Sequence, residues 1–448
     1  MDAEVARAIE HYHALLRDEK GLREEIESRF LDLMRQANLT FGGRVLCPFP
    51  RPNLVSPEAY AQIRGVCRGI FRAIEKAETK LGRELWDRVD LTPEERELVA
   101  IEPGYRRSSP SARLDSFLTT SKFQFVELNA ETPAGIGYAE ILTDIFLDLP
   151  IMKEFQKRYT LRRFKARDRL LETLIDCYRE AGGREPHPSI AIVDYEEVPT
   201  RTEHHMFREF FETKGYPSLV CDPRHLTFEG GKLRHEGRVI DIVYKRLLVN
   251  EFLERIDQLQ PLLAAARARA FVMMNPFRCK PIHKKAIFEV LTDDALQALF
   301  TAEERTAIAA HVPWTRRVRE GMTSRYGQSL DLPAFVRENR ERLVMKPNDE
   351  YGGKGVFLGW EMTATQWDAA LATALSASYV VQEKVDLLRQ SFPELSPELH
   401  FRDLVVDLDP FVFGGEVEGF LTRLSGTSLA NVTSGGGQVP AFLVEPRS

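Results

Sequence analysis

Two short segments between residues 112 and 129 restrict this 448-residue chain more than any other feature, because both must become strands that pair. Polar and apolar side chains alternate over 112–118 and again over 123–129, with a polar turn between them. A period of two marks half-buried strands, and so short a connection folds them into an antiparallel hairpin. Arg113 and Asp115 stand two apart on the first strand, Glu127 and Asn129 two apart on the second. Side chains two apart share a face, so Asp115, Glu127 and Asn129 are expected to converge. Two carboxylates and an amide oxygen suit Mg²⁺, which takes oxygen ligands, keeps several waters and is completed by substrate phosphates. Arg113 beside them is placed to neutralise a phosphoryl group in transit. Taken alone, the same residues also describe a polar strand face with a surface ion pair.

A second constellation lies further along. RLVMKP reads as a strand, YGGKG as a glycine-rich turn and VFLGW as a returning strand, followed by a helix over 366–377 and the strand YVVQEKV. Lys346 ends the first strand, and Gly352, Gly353 and Gly355 allow backbone N–H groups to approach phosphate oxygens closely. The Walker A spacing is absent, so a hairpin with a solvated lysine is the competing account. Gln382, Glu383 and Lys384 end the later strand, where backbone groups can meet the edge of an adenine; a half-buried strand explains them equally well.

The rest of the chain sets bounds. At this length two or three packed domains are expected, and 43% hydrophobic against 29% charged residues supplies a real core. A net charge of -6 argues against a generic nucleic-acid binder. No apolar run is long enough to span a membrane, and MDAEVARAIEHYHALL lacks the apolar centre of a signal peptide. Cys47, Cys67, Cys177, Cys221 and Cys279 are scattered without a CxxC pair, as expected of reduced thiols in a cytoplasmic protein. Helical periodicity covers residues 1–37, 57–81, the segments LTPEERELVA and GIGYAEILTDIFLDLP, and a long stretch stopped by Gly182-Gly183. FGGRVLCPFPRPN reads as loop. SIAIVDY, a helix over 200–213 and PSLVCDP form a strand–helix–strand unit of a parallel sheet, with AFVMMNPF as a further strand and KPIHKKAIFEVLTDD as a helix. His204-His205 with Glu203 suggests a metal site but lacks the two-His helical spacing, so a solvated or capping pair is the favoured reading; Asp403, Asp407 and Asp409 offer a further metal ligand, with a polar strand face the favoured reading. Tyr244-Lys245-Arg246, at a strand end, is a candidate for meeting an anionic substrate.

The segment RLDSFLTTSKFQFVELNAETPAG resembles the magnesium- and phosphate-binding segment of glutathionylspermidine synthetase and its relatives, in which Arg-x-Asp and Glu-x-Asn stand at this spacing. More broadly, roughly residues 105–448 resemble the circularly permuted type 2 ATP-grasp proteins. The ending GGEVEGFLTRLSGTSLANVTSGGGQVP is similar to the Arg…Asn…GGG close of that group. The resemblance implies an α/β (α+β mixed) ATP-grasp fold in circularly permuted order, with a Rossmann-like pre-ATP-grasp domain and an N-terminal helical region. It divides the chain into a helical region (1–100), a permuted segment carrying the metal-ligand hairpin (101–185), a pre-ATP-grasp α/β domain (186–285) and a nucleotide-binding subdomain with closing strands (286–448). It also implies roles: Lys346 on the ATP phosphates under a loop containing Gly352, Gly353 and Gly355, and Gln382, Glu383 and Lys384 as the adenine hinge. Lys285 matches a lysine that opens a helix before the nucleotide subdomain, with Lys284 as its rival. Asp115, Glu127 and Asn129 would hold Mg²⁺, with Arg113 and Arg423 stabilising the transition state. The activity so implied is an ATP-dependent carboxylate–amine ligase working through an acyl phosphate, on small-molecule or peptide substrates. A phosphotransferase and a non-catalytic nucleotide-binding regulatory or assembly protein are the alternatives. The chain departs from the family at Ala130–Gly135, where glutathionylspermidine synthetase has a serine-containing substrate loop, with Thr132 the available hydroxyl.

Overall fold

The alternating segments become the strands Ser111–Leu118 and Phe123–Asn129, paired antiparallel with Arg113 opposite Asn129 and Asp115 opposite Glu127. The computed structural model describes residues 3–41, 43–118, 123–396, 398–427 and 436–447, so the connecting turn lies outside it. Past Asp115 the register slips, and Ser116 faces Phe125. Val126 is therefore an extra residue in the ladder, a bulge of the kind that bends a strand and frees a backbone group.

The hairpin is completed from the other end of the chain. Ser111–Leu118 pairs with Leu399–Phe413, which pairs in turn with Glu416–Ser425 and, over its first half, with Arg389–Leu395; Gly437–Val439 adds the outer strand. All of these pairings are antiparallel. On one face Ala112, Leu114 and Leu128 bury against Ile63, Ile70 and Ile74 of the helix Pro57–Leu81. That helix begins where Ser56 Oγ accepts the Ala59 N–H at 3.2 Å and ends at Gly82. The alternate residues Arg113, Asp115, Glu127 and Asn129 consequently occupy the opposite face.

Two further sheets flank this one. Val272–Met274, Ile242–Lys245, Ile190–Val193 and Ser218–Cys221 lie side by side, all parallel, with the helix Arg201–Thr213 between two of them in sequence. This is the α/β unit expected from the sequence. Thr315–Arg317, Tyr379–Glu383, Leu343–Pro347 and Phe357–Leu358 form an antiparallel sheet. The helices Leu332–Glu338 and Ala364–Ser376 back it, with Trp367, Leu371, Met345 and Val381 in one cluster. The helices Ala3–Asp18 and Lys20–Gln36 bury Tyr12, Leu16, Phe30 and Met34 in a separate cluster with Leu142 and Phe146 of Ile136–Asp148.

The strand read over VFLGW is confined to Phe357–Leu358, and two larger differences from the sequence reading stand out. The segment read as loop holds Arg44–Val45, paired with Thr40–Phe41, and runs into Asn53–Val55, which lies parallel to Ala441–Pro446. Strands of two or three residues are too short to display a period. KPIHKKAIFEVLTDD is not one helix but two, Lys280–His283 and Ile287–Thr292. At the break the Lys285 N–H donates to Asn348 O at 2.9 Å and the Ala286 N–H to Asn348 Oδ1 at 2.9 Å. Tertiary partners thus take the donors that a continuous helix would have used. Among the described residues no helix is long and apolar enough to cross a membrane.

Candidate active site

The polar face of the hairpin and the strand Leu343–Pro347 enclose a cavity of about 750 Å³, within the usual range for small-molecule sites. Arg113, Asp115, Glu127 and Asn129 line it from the hairpin, Lys285 from the helix break, and Arg423 from Glu416–Ser425. Lys346, Gly352, Gly353, Gln382, Glu383 and Lys384 line it from the flanking sheet and its turn. Gly355 closes the turn with φ +71°; a Cβ there would lie 2.8 Å from Pro347 Cγ and 3.0 Å from Tyr379 Oη. Only glycine fits so positive a φ and so tight a contact.

Lys346 is positioned from two sides. Its Nζ donates to Gln382 Oε1 at 2.7 Å and to Val126 O at 3.2 Å, the carbonyl of the bulged residue. Gln382 is itself fixed, since its Nε2 donates to Thr315 Oγ1 at 2.9 Å. Burial is the main cause that lowers the Lys346 ammonium to about 8, with Glu127 opposing and Lys285 reinforcing it. Lys285 Nζ donates to Glu350 O at 2.6 Å and stands 3.7 Å from Glu127 Oε1. Lys284 turns elsewhere, to Glu95 at 2.8 Å and Asp90 O at 3.1 Å, so Lys285 is the lysine of that pair that reaches the cavity wall. The Glu383 carboxylate is held by Arg325 at 2.6 Å and Tyr326 Oη at 2.7 Å, and Lys384 Nζ sits 4.4 Å over the Trp360 ring. The backbone N–H groups of Glu383 and Lys384 already donate to Trp314 O and Arg342 O.

Opposite the lysine stands a buried cluster of two guanidiniums and three carboxylates. Arg113 makes a two-pronged contact with Asp115 at 2.8 and 3.0 Å and donates to Ala134 O at 2.9 Å. Arg423 Nη2 lies 2.7 Å from Asp115, 2.5 Å from Asp407 and 2.9 Å from Asp409. Asn129 Nδ2 donates to Asp115 Oδ1 at 2.9 Å, and Asp409 Oδ1 accepts the Ser116 N–H at 2.8 Å. Burial works against the Asp115 charge, but Arg113 and then Arg423 outweigh it and hold the carboxyl below the ordinary range. Burial raises Asp407 and carries Asp409 well above its usual value, with Asp115 adding to both. The sequence reading of Asp407 and Asp409 as a polar strand face is therefore corrected: both are buried, while Asp403 is exposed. Their spacing of two was visible, and so was Arg423 as a candidate; the pairing of the aspartates with that arginine, 14 to 16 residues later, was not.

Two other sequence readings change. His204 is neither solvated nor capping; it is buried, with Nε2 accepting from Arg246 Nε at 3.4 Å. Tyr244, Lys245 and Arg246 are also buried, with their polar groups bonded within the protein, although Arg246 still lines the cavity. Lys245 donates to Leu247 O at 2.9 Å, whereas Arg246 donates to Pro133 O at 2.9 Å and Tyr244 Oη at 3.0 Å and pairs with Glu203 at 3.3 Å. The Thr132 hydroxyl, by contrast, lines the cavity without a hydrogen-bond partner. Glu131, His283 and Asp349 come close enough to share an ion, but Lys280 Nζ already stands 3.0 Å from Glu131 and 2.7 Å from Asp349 as their cation.

This arrangement of sheets and cavity is a mixed α/β fold similar to that of a glutathione synthetase-like protein. A glutathione synthetase-like effector from Globodera pallida matches it with a TM-score of 0.58 at 13% identity, over 94% of this chain and 96% of that one. At that identity the likeness concerns the fold alone. A Methylobacillus flagellatus protein provisionally named gamma-glutamylcysteine synthetase matches at a TM-score of 0.39 and 10% identity, over 84% of this chain and 85% of that one; so low a score carries no argument. No protein-family model and no curated protein sequence matches the chain.

Proposed function

We propose that this chain is an ATP-dependent, magnesium-requiring ligase that joins a carboxylate to an amine through an acyl phosphate. One observation carries the reading: Lys346 and Lys285 open on the same cavity as Asp115, Glu127 and Asn129. Two ammonium groups facing an oxygen-ligand set is the arrangement that a nucleotide triphosphate and its cation require. Glu127 and Asn129 fit a hard divalent ion, whereas both Asp115 oxygens accept from Arg113, Arg423 and Asn129, so Asp115 would join the ion only by giving up one of those contacts. Glu127 has Lys285 at 3.7 Å and acts electrostatically on Lys346 as well, and Asn129 spends its amide nitrogen on Asp115, which leaves its oxygen as the ligand atom. A bound Mg²⁺ neutralises and orients phosphate oxygens.

Lys346 and Lys285 hold the phosphates of ATP while the glycine turn covers them. A substrate carboxylate oxygen attacks the γ-phosphorus, the bond to the β-phosphate oxygen breaks, and ADP leaves. Arg113 and Arg423, held rigidly by Asp115, Asp407 and Asp409, stabilise the charge on the transferring group. An amine nitrogen then attacks the acyl carbon, losing its proton, and inorganic phosphate departs as the amide forms. The chain's contribution is positioning and charge, with no side-chain nucleophile. The permuted order and the four-part division belong to the same proposal; the pairing of Ser111–Leu118 with Leu399–Phe413 supports it, since it joins segments on either side of the nucleotide sheet in sequence.

The test is nucleotide turnover over a panel of acids and amines. A ligase releases ADP and free phosphate only when both substrates are present. A single required acceptor without free phosphate would make the chain a phosphotransferase, and nucleotide binding without turnover a binding protein.

A further inference from the structure

Two segments that the proposed reaction uses meet behind the cavity wall at a single ammonium. Lys280 opens the short helix Lys280–His283 and is fully buried. Its Nζ donates to Asp349 Oδ1 at 2.7 Å and to Glu131 Oε1 at 3.0 Å, and stands 3.8 Å from Glu95. Asp349 is the second residue past the strand Leu343–Pro347, at the entry to the glycine turn. Glu131 is the second residue past Phe123–Asn129, and its neighbour Thr132 lines the cavity. One side chain therefore joins the turn over the proposed phosphates to the segment Ala130–Gly135 on the other side of the site.

The junction is tight at one end and dependent at the other. Glu131 is fully buried; its Oε2 accepts the Val249 N–H at 2.7 Å and lies 3.6 Å from Lys245. Attraction offsets desolvation only where a buried pair has good geometry and its remaining oxygens are bonded, a condition that Glu131 meets. Burial opposes the Lys280 charge, but Glu131 and then Asp349 outweigh it and hold the ammonium above its ordinary range. Burial likewise opposes the Glu131 charge, and Lys280, His283 and Lys245 hold its carboxyl below the usual range. Both partners stay ionised, so the link persists across neutral pH. Asp349, with a side chain 21% exposed, has Lys280 at 2.7 Å and Lys284 at 3.6 Å. Within the turn the backbone bonds are long, from the Lys354 N–H to Tyr351 O at 3.5 Å and from the Val356 N–H to Gly353 O at 3.4 Å. Such a turn takes its place from its anchors, here Asp349 on Lys280 and Glu350 O on Lys285 Nζ at 2.6 Å.

We propose that Lys280 is a positioning residue: by gripping Asp349 and Glu131 together it fixes the glycine turn against Ala130–Gly135, so that a nucleotide under the turn also orders the segment across the cavity. What the two segments hold rests on the ligase reading.

Hydrogen–deuterium exchange of the full chain, with and without ATP and Mg²⁺, tests the link. In the parent, nucleotide should slow exchange over 349–356 and over 130–135 together. Lys280→Met and Asp349→Asn should each keep the circular dichroism of the parent, weaken ATP about tenfold by calorimetry, the size expected of one charged hydrogen bond, and lose the slowing over 130–135. Should Lys280→Met fail to fold, Asp349→Asn carries the test alone, because its carboxyl is partly exposed. A purely structural ion pair would change stability and leave the response of 130–135 to nucleotide intact. Slowing over 130–135 that survives in Asp349→Asn, or is absent from the parent, overturns the proposal and leaves the ligase reading standing. A parent that binds no ATP removes both.

Discussion

Lys346 shows what a single buried cation contributes. Its ammonium is lowered to about 8 against an ordinary 10.5, so between those values the unfolded chain binds the proton and the folded chain does not. Stability attributable to this residue therefore rises with pH across that window and is lost as pH falls through about 8. Lys346→Met should accordingly be more stable than the parent below pH 8, an advantage that shrinks towards pH 10.5 in urea denaturation at stepped pH. The same variant should lose most of its ATP affinity. In the parent, ATP binding near pH 8 should take up a proton, seen as a buffer-dependent heat that is absent from Lys346→Met. The aspartates make a second residue-scale contrast. Asp115 is ionised between two guanidiniums, whereas Asp409 is carried well above its usual range. Asp115→Asn should cost about 3 kcal/mol in denaturant unfolding, because two buried arginines lose their partner. Asp409→Asn resembles the protonated acid already favoured there and should cost less than about 1 kcal/mol. Equal costs would contradict the charge assignment.

Among the elements, the turn between Leu343–Pro347 and Phe357–Leu358 depends on glycine at 355, where φ is +71°. Gly355→Ala should destabilise by about 1–3 kcal/mol and raise KM for ATP more than it lowers kcat, measured by unfolding and steady-state kinetics. The helix break before Ile287 depends on Asn348, whose Oδ1 accepts from Ala286 and whose Nδ2 donates to Val89 O and Ser378 Oγ. Asn348→Ala leaves these buried groups unpaired, at about 1–3 kcal/mol, and should release Lys285 from its place. The hairpin was legible because its alternation is local and uninterrupted. The break was not, because nothing in KPIHKKAIFEVL announces an asparagine 62 residues later that takes over the backbone donors.

For the whole molecule, the C-terminal strand Ala441–Pro446 is a keystone in the mechanical sense. It lies between Asn53–Val55 and Tyr159–Arg162, joining three distant stretches of chain. Removing residues 437–448 should abolish cooperative thermal unfolding rather than shift its midpoint, as followed by circular dichroism. A truncated chain that still unfolds in one sharp transition would show that the sheet is dispensable.

The face shared by Arg113, Asp115, Glu127 and Asn129 follows from local periodicity, as does the strand that delivers Lys346, because two-residue alternation leaves a strand only one way to divide its side chains. The fate of Asp407 and Asp409, and the partners that fix Lys346 through Gln382 and the bulge at Val126, arise between separate elements rather than along any one of them. Those contacts depend on where folded elements stack, and burial then sets which charges are paired, shifted or left open to a ligand.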